Sequence, residues 1–391
     1  MDANAPHLPY GRQFIDEADI AAVEAVLRSD WLTQGPAIER FEQKVAAYCG
    51  VRYAVAVSSA TAALHLGATA LGLGPGDSLL TSAITFVASA NCARYCGADV
   101  DFVDIHPGSY NLDVGALSSK LKQAAAKGRL PKVIVPVHLA GQSCEMASIN
   151  ALAREYGIQI MEDAAHAIGG KYENKPVGNC LYSDLAVFSF HPVKIVTTGE
   201  GGMLLTNRTD LYEKLIRLRT HGITKDLRFM TEPAHGPWYY QQLELGFNYR
   251  MTDIQAALGA SQMDKLDAFV TRRQYLAQRY DKLLAGLPVT LPWQHPSTSS
   301  SWHLYIIRLQ LNRLRKTHRQ IFEELRSAGI GVQLHYIPVY LQPYYRQLGF
   351  QPGYCREAEK YYSEAISLPI YYALSEADQD RVTRTLASIL E

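Results

Sequence analysis

Tyr53-Ala54-Val55-Ala56-Val57-Ser58-Ser59-Ala60-Thr61-Ala62-Ala63-Leu64 runs from a short apolar stretch, through a turn of small hydroxylated residues, into a helical pattern. The helical pattern continues from Ala62 to about Leu71. A strand, a tight turn and a helix in that order form the repeating unit of an α/β domain built on a mostly parallel sheet. The unit recurs downstream. Ser78–Ile84, Asp101–Val103, Val133–Val137, Ile158–Met161, Asp184–Phe190 and Gly202–Leu205 read as further strands, with helices between the earlier ones and another at Leu211–Arg219.

Past this series the pattern changes. Thr231–Gln241 is rich in Pro, Gly and aromatic residues and reads as an irregular excursion. Thr252 to about Leu284 carries apolar residues at helical spacing and is expected as one long helix. Leu287–Ser301 is Pro/Ser-rich and linker-like. Beyond it come a strand at His303–Leu309, a helix at Arg319–Ala328, a strand at Gly331–His335 and a last helix from about Ser375 to Leu390. At 391 residues the chain exceeds the usual size of one domain. The expectation is a large α/β domain over 1–265 and a smaller α+β domain over 266–391, with the N-terminal stretch of about 30 residues packing with the smaller one.

Composition limits the function classes. Hydrophobic residues make up 48% and charged residues 19%, enough apolar material for a core. Lys+Arg and Asp+Glu are 38 each, and the only basic run is Arg313-Leu314-Arg315-Lys316, so a nucleic-acid partner is not expected. No apolar run reaches the roughly 18 residues of a membrane span, and Met1-Asp2-Ala3-Asn4-Ala5-Pro6 has neither a basic nor an apolar leader segment. The six cysteines form no C-x-x-C pair and sit at no zinc-binding spacing, so no metal is expected, and reduced thiols fit a cytoplasmic enzyme. Gly72-Leu73-Gly74-Pro75-Gly76 follows a helix and lacks the G-x-G-x-x-G spacing of a nicotinamide site.

Lys194 follows the apolar run Leu185-Ala186-Val187-Phe188-Ser189-Phe190 and precedes Thr198-Gly199-Glu200-Gly201-Gly202. A lysine on a loop just past a buried strand is partly desolvated, which favours the neutral amine that condenses with an aldehyde. Asp163 stands at the end of another strand, where side chains of an open α/β sheet face the ligand crevice. It fits a carboxylate held against a cofactor's ring nitrogen, and equally a cap on a following helix. Ser58-Ser59-Ala60-Thr61 sits where helix N–H groups attract an anion, to which the Ser59 and Ser189 hydroxyls can add bonds. Phe86 follows a strand and is either a stacking ring or a core residue.

Glu162-Asp163-Ala164-Ala165-His166-Ala167, Ser189-Phe190-His191-Pro192-Val193-Lys194, Thr198-Gly199-Glu200-Gly201-Gly202 and Gly246-Phe247-Asn248-Tyr249-Arg250-Met251-Thr252 resemble the sugar aminotransferase family called DegT/DnrJ/EryC1/StrS. The resemblance runs from Gln34-Gly35-Pro36 to Ile366-Ser367-Leu368-Pro369. It implies a fold type I transferase, like aspartate aminotransferase, that uses pyridoxal phosphate and works as a homodimer with shared active sites. It implies Lys194 and Asp163 as catalytic residues. The cofactor would be held by these two with His166, Ser59, Ala60, Phe86 and Ser189, and by Asn248 reaching across from the other subunit. Members with His in place of the lysine act as dehydratases; Lys194 speaks against that branch. His221-Gly222-Ile223-Thr224-Lys225-Asp226, Gly236-Pro237-Trp238-Tyr239-Tyr240 and Leu334-His335-Tyr336-Ile337-Pro338-Val339-Tyr340 resemble the subgroup of pseudaminic acid synthesis. That likeness implies L-glutamate as donor and UDP-2-acetamido-2,6-dideoxy-beta-L-arabino-hex-4-ulose, aminated at C4, as acceptor. It also implies sugar contacts from Tyr10, Thr33, Gln34, Gly35, His335, Tyr336 and Pro338. A dTDP- or GDP-linked keto-sugar or a C3 ketone, and a catalytically silent regulatory protein on the same fold, are the competing readings.

Overall fold

The computed structural model describes residues 7–391; the Met1–Pro6 segment considered above lies outside the described residues. The quoted opening stretch folds as expected, into strand β1 (Tyr53–Val57) and a helix at Ala60–Ala70. Six more strands join β1 in one sheet: β2 (Ser78–Ser82), β3 (Asp99–Val103), β4 (Val133–Val135), β5 (Gln159–Asp163), β6 (Leu185–Ser189) and β7 (Gly202–Thr206). Their order is β1-β7-β6-β5-β4-β2-β3. Only β7 runs against the rest, pairing antiparallel with β1 and β6. The pairs β2–β3, β2–β4, β4–β5 and β5–β6 are parallel. The carboxyl ends of β1, β2, β4, β5 and β6 therefore gather at one edge, where an open sheet forms its crevice.

The sheet is buried on both faces, which is why its strands read as continuous apolar runs. Alternate residues of β1, β6 and β7 divide between two cores: Val55, Val187 and Leu204 on one side, Ala54, Phe188 and Met203 on the other. The first core is closed by α3 (Ala60–Ala70), numbered after α1 (Glu17–Leu27) and α2 (Pro36–Cys49). Small residues let α3 come close: a Cβ on Gly67 would stand 2.4 Å from Met161 Sδ. A Cβ on Gly202 would meet the Ser59 carbonyl at 2.4 Å, so a glycine at the start of β7 lets the β1–α3 turn sit against it.

Two expectations are corrected. The stretch from Thr252 is two helices, Asp253–Met263 and Leu266–Leu283, broken at Asp264 and Lys265. There the amides turn to three-residue bonds, and Lys265 is held by Asp16 and Asp19 at 2.7 and 2.6 Å. Gly331–His335 is not a strand. Gln333 alone bridges Ser367, the Gly331 amide bonds Leu8, and the His335 carbonyl accepts from the Tyr361 phenol, so the ladder is abandoned as the chain turns to the cleft.

Beyond the helix break a separate three-stranded sheet, Val289–Thr290, Tyr305–Leu309 and Ala365–Leu368, shares a core with helices His318–Ser327 and Glu376–Leu390. The N-terminal segment divides its contacts. Leu8 enters this second core, while α1 packs along the Asp253–Met263 helix, with Gln262 Nε2 donating to the Phe14 carbonyl. Among the described residues no helix is long and apolar enough to cross a membrane.

Candidate active site

A cleft of about 570 Å³ opens at the carboxyl edge of the sheet, with the turn before the second core as its far wall. Of the residues singled out in the sequence, Tyr10, Ser59, Ala60, Phe86, Asp163, His166, Ser189, Lys194, His335 and Tyr336 line it. Ser59, Ala60, Phe86, Asp163, His166, Ser189 and Lys194 lie at or just past the ends of strands of the large sheet, while Tyr10, His335 and Tyr336 come from irregular segments.

Lys194 lies on the loop after β6. Its amide bonds the His191 carbonyl at 2.8 Å, and Ile195 and Val196 are buried beside it, so the backbone is pinned at the cleft floor. Burial lowers the Lys194 pKa to about 8, and the charge of Asp163 pulls the other way. About a tenth of the amine is thus neutral at pH 7, far more than for an ordinary lysine, and the neutral amine is the form that attacks a carbonyl.

Asp163 ends β5 and is buried. Its Oδ2 accepts from the Ser89 hydroxyl at 2.6 Å, and its Oδ1 from the Ala165 amide at 3.1 Å. No helix follows it, so the helix-cap alternative falls. Ser59 does cap α3, accepting from the Ala62 amide at 3.1 Å. That leaves its hydroxyl proton and the first-turn amides of Ala60 and Thr61 for an anion at the helix N-terminus. Phe86 is 57% exposed on the cleft wall, which excludes a core role; its ring is 6.1 Å from that of Tyr336.

His166 is buried in the cleft wall. Burial, with the charge of Lys194 and then His335, holds its pKa well below the ordinary histidine value, so the ring is neutral. Its Nδ1 accepts the Ala140 amide at 3.3 Å, and its Nε2 lies 3.1 Å from the Tyr336 hydroxyl. The proton of the neutral ring is therefore on Nε2 and donated to Tyr336. Tyr336, whose pKa burial raises, keeps its own proton to give to a ligand. His335, pushed down to about 3 by burial and by Lys194, is likewise neutral and pairs with Ser367 Oγ at 2.8 Å.

Five sequence candidates stand outside the cleft of the single chain. Thr33 bridges Thr252, and Gln34 and Gly35 line a separate concavity of about 250 Å³ with Arg219 and Arg250. Asn248 is exposed and bridges Thr220; Pro338 is buried behind Tyr336 at the start of a turn. Thr85, His191, Glu200 and Gln333 line the cleft and were not singled out from the sequence, nor was Ser89 beneath it. For Ser89 the signal was its place three residues after Phe86, but linking it to Asp163 requires knowing that β4 alone separates β2 from β5.

The chain is similar to known proteins over nearly its whole length. A family model described as the DegT/DnrJ/EryC1/StrS aminotransferase family matches residues 13–387. The spore coat polysaccharide biosynthesis protein SpsC of Bacillus subtilis is 37% identical over 98% of this chain and 97% of its own. The UDP-4-amino-4,6-dideoxy-N-acetyl-beta-L-altrosamine transaminase of Campylobacter jejuni is 38% identical over 98% of both chains. The solved structure of Helicobacter pylori PseC, an aminotransferase of pseudaminic acid biosynthesis, superposes with a TM-score of 0.89 at 32% identity, covering 98% of this chain and 99% of the other.

Proposed function

The chain belongs to the DegT/DnrJ/EryC1/StrS aminotransferase family, and from that premise we propose that it moves an amino group from L-glutamate to C4 of a UDP-linked 4-keto-6-deoxy-N-acetylhexosamine, in pseudaminic acid biosynthesis. It is a sugar aminotransferase of fold type I, and its cofactor is pyridoxal phosphate. The observation that carries the proposal is the convergence of Lys194, Asp163, Phe86 and the α3 N-terminus on one cleft.

The cleft fits the cofactor group by group. The α3 N-terminus with Ser59, Ala60 and Ser189 suits the phosphate, the exposed Phe86 face suits the ring, and buried Asp163 suits the ring nitrogen. Bound pyridoxal phosphate supplies an aldehyde that carries the amino group and a ring that draws electrons from the reacting carbon. Lys194 would hold the aldehyde and, when its amine is free, would accept and return the proton of the donor α-carbon. Asp163 would hold the ring nitrogen's proton in place. His166 orients Tyr336, whose hydroxyl faces the substrates together with Tyr10 and His335. Donor and sugar use the same cleft in turn, which gives ping-pong kinetics.

We read the active site as shared within a homodimer. The donor has two carboxylates and a nucleotide-sugar two phosphates, whereas the described cleft lining holds one lysine and no arginine. Asn248, Thr33, Gln34 and Gly35 lie together toward the β1 edge, on the segments flanking α2 and the Asp253–Met263 helix, suited to reach a second copy's cleft. A division into domains at 265/266 is supported by the helix break there and by the separate core beyond it. We place the enzyme in the cytoplasm, where sugar nucleotides are made.

The test is a product assay by mass and NMR with glutamate and either the UDP-4-keto-sugar or its dTDP counterpart. Amination at C4 of the UDP-sugar alone is expected. Preference for the dTDP-sugar, or amination at C3, would overturn the substrate assignment and leave the aminotransferase reading standing.

A further inference from the structure

Beneath Asp163 lie two buried hydroxyls, Thr85 and Ser89, 2% and 0% exposed. Ser89 Oγ stands 2.6 Å from Asp163 Oδ2, 2.7 Å from Thr85 Oγ1 and 3.3 Å from the Phe86 carbonyl. A serine has one proton to give, and an ionised carboxylate only accepts. The bond to Asp163 is charge-assisted and the shortest of the three, so the proton goes there. Thr85 is then the donor in the Thr85–Ser89 pair.

We propose that Thr85 and Ser89 form a directional hydrogen-bond relay that positions Asp163 against the cofactor ring nitrogen, making Ser89 a positioning residue for transamination. The proposal rests on the pyridoxal phosphate reading of the cleft. Two donors on different oxygens, Ser89 on Oδ2 and the Ala165 amide on Oδ1, fix the plane of the carboxylate while it still lines the cleft. Ser89 stands in the first turn of the helix Ala88–Tyr95, anchored by the fully buried Ala90, Cys92 and Ala93. Three residues earlier the same segment exposes Phe86. One short element thus sets both the face that stacks on the ring and the donor that aims the carboxylate at its nitrogen. A site held by packed elements keeps its geometry better than one held by loops.

The experiment uses the holoenzyme and four forms: wild type, Ser89→Ala, Ser89→Thr and Ser89→Ala in an Asp163→Asn background. Three readouts apply: cofactor retention, the pH titration of the bound cofactor's absorption, and kcat against KM. Ser89→Ala is expected to retain cofactor and to shift the titration midpoint by about one pH unit, because a hydrogen bond to the charged partner is lost. Its kcat should fall about tenfold or more, the worth of one bond to an ionised group, with both KM values within about twofold. Ser89→Thr should restore the midpoint and most of kcat. With Asp163→Asn in place, Ser89→Ala should change kcat by less than about twofold, since coupled residues are not additive. An unshifted midpoint, or an equal loss in both backgrounds, overturns the relay. If Ser89→Ala does not fold, Thr85→Val takes its place: a smaller midpoint shift in the same direction is expected, and none overturns the relay. Wild type that binds no cofactor sinks the cleft reading instead, so the two failures stay apart.

Discussion

Glu162 and Asp163 are neighbours on β5, both buried carboxylates, and the strand's alternation turns them to opposite faces. On one face Glu162 is closed off. Its Oε2 is 2.7 Å from His138 Nε2, and its Oε1 accepts from the Ser183 hydroxyl. His138 takes the Cys144 amide on Nδ1 at 3.1 Å, so Nε2 bears the proton given to Glu162. On the other face Asp163 is held by one hydroxyl and one amide and borders a cleft of about 570 Å³. Burial and the number of hydrogen bonds are alike; what differs is that Glu162 is enclosed by its own protein whereas Asp163 borders the cleft. The enclosed one has the partners of a structural group, and the one on the cleft is the one we assign to the chemistry.

This contrast can be broken most sharply by amide substitutions. Asp163→Asn, whose amide nitrogen would face the Ser89 hydroxyl or the Ala165 amide, should cost a few degrees of melting temperature and in addition lose about 10²- to 10³-fold in kcat, the scale seen when one electrostatic group at a reacting centre is removed. Glu162→Gln should cost stability without the loss of rate. Its amide nitrogen would face one of two donors, costing about 1.5–3 kcal/mol and a few degrees of melting temperature, with kcat within about twofold at a permissive temperature. If the Glu162 variant lost activity as heavily as the Asp163 variant, the division of roles would be wrong.

A smaller effect follows from the neutral histidines in and behind the cleft wall. Burial, first among the causes, holds His166 and His303 well below the usual histidine pKa and His335 at about 3. Below pH 6.5 the unfolded chain gains protons there that the folded chain refuses, so stability falls as pH drops. Each contributes up to about 1.4 kcal/mol per pH unit below that point. Thermal unfolding at pH 7 and pH 5.5 should show the loss, and His303→Asn should reduce it. An unchanged pH dependence in that variant would count against a buried neutral ring at 303.

The same contrast marks how far the sequence could be read. The strands of the large sheet were legible because burial on both faces makes each an uninterrupted apolar run. The strand ends then located Lys194 and Asp163. Glu162 and Asp163 look alike in sequence; only the register of β5 and the position of Ser89, on the helix that follows a strand two places away, tell them apart. The Gly331–His335 segment carried a strand-like pattern, but its backbone partners, Leu8, Ser367 and Tyr361, come from three distant places that no local pattern reveals. The break at Asp264 and Lys265 escaped for a like reason, since the residues holding it, Asp16 and Asp19, lie near the N-terminus.

The most direct test of the central claim, that Lys194 and Asp163 frame a pyridoxal phosphate transamination site, is a single half-reaction. The purified protein is loaded with pyridoxal phosphate and mixed with L-glutamate, with no sugar present. The account predicts stoichiometric release of 2-oxoglutarate, a matching change in the cofactor's absorption, and neither in Lys194→Ala. Unchanged 2-oxoglutarate release from Lys194→Ala, or none from wild type that has bound the cofactor, would contradict it.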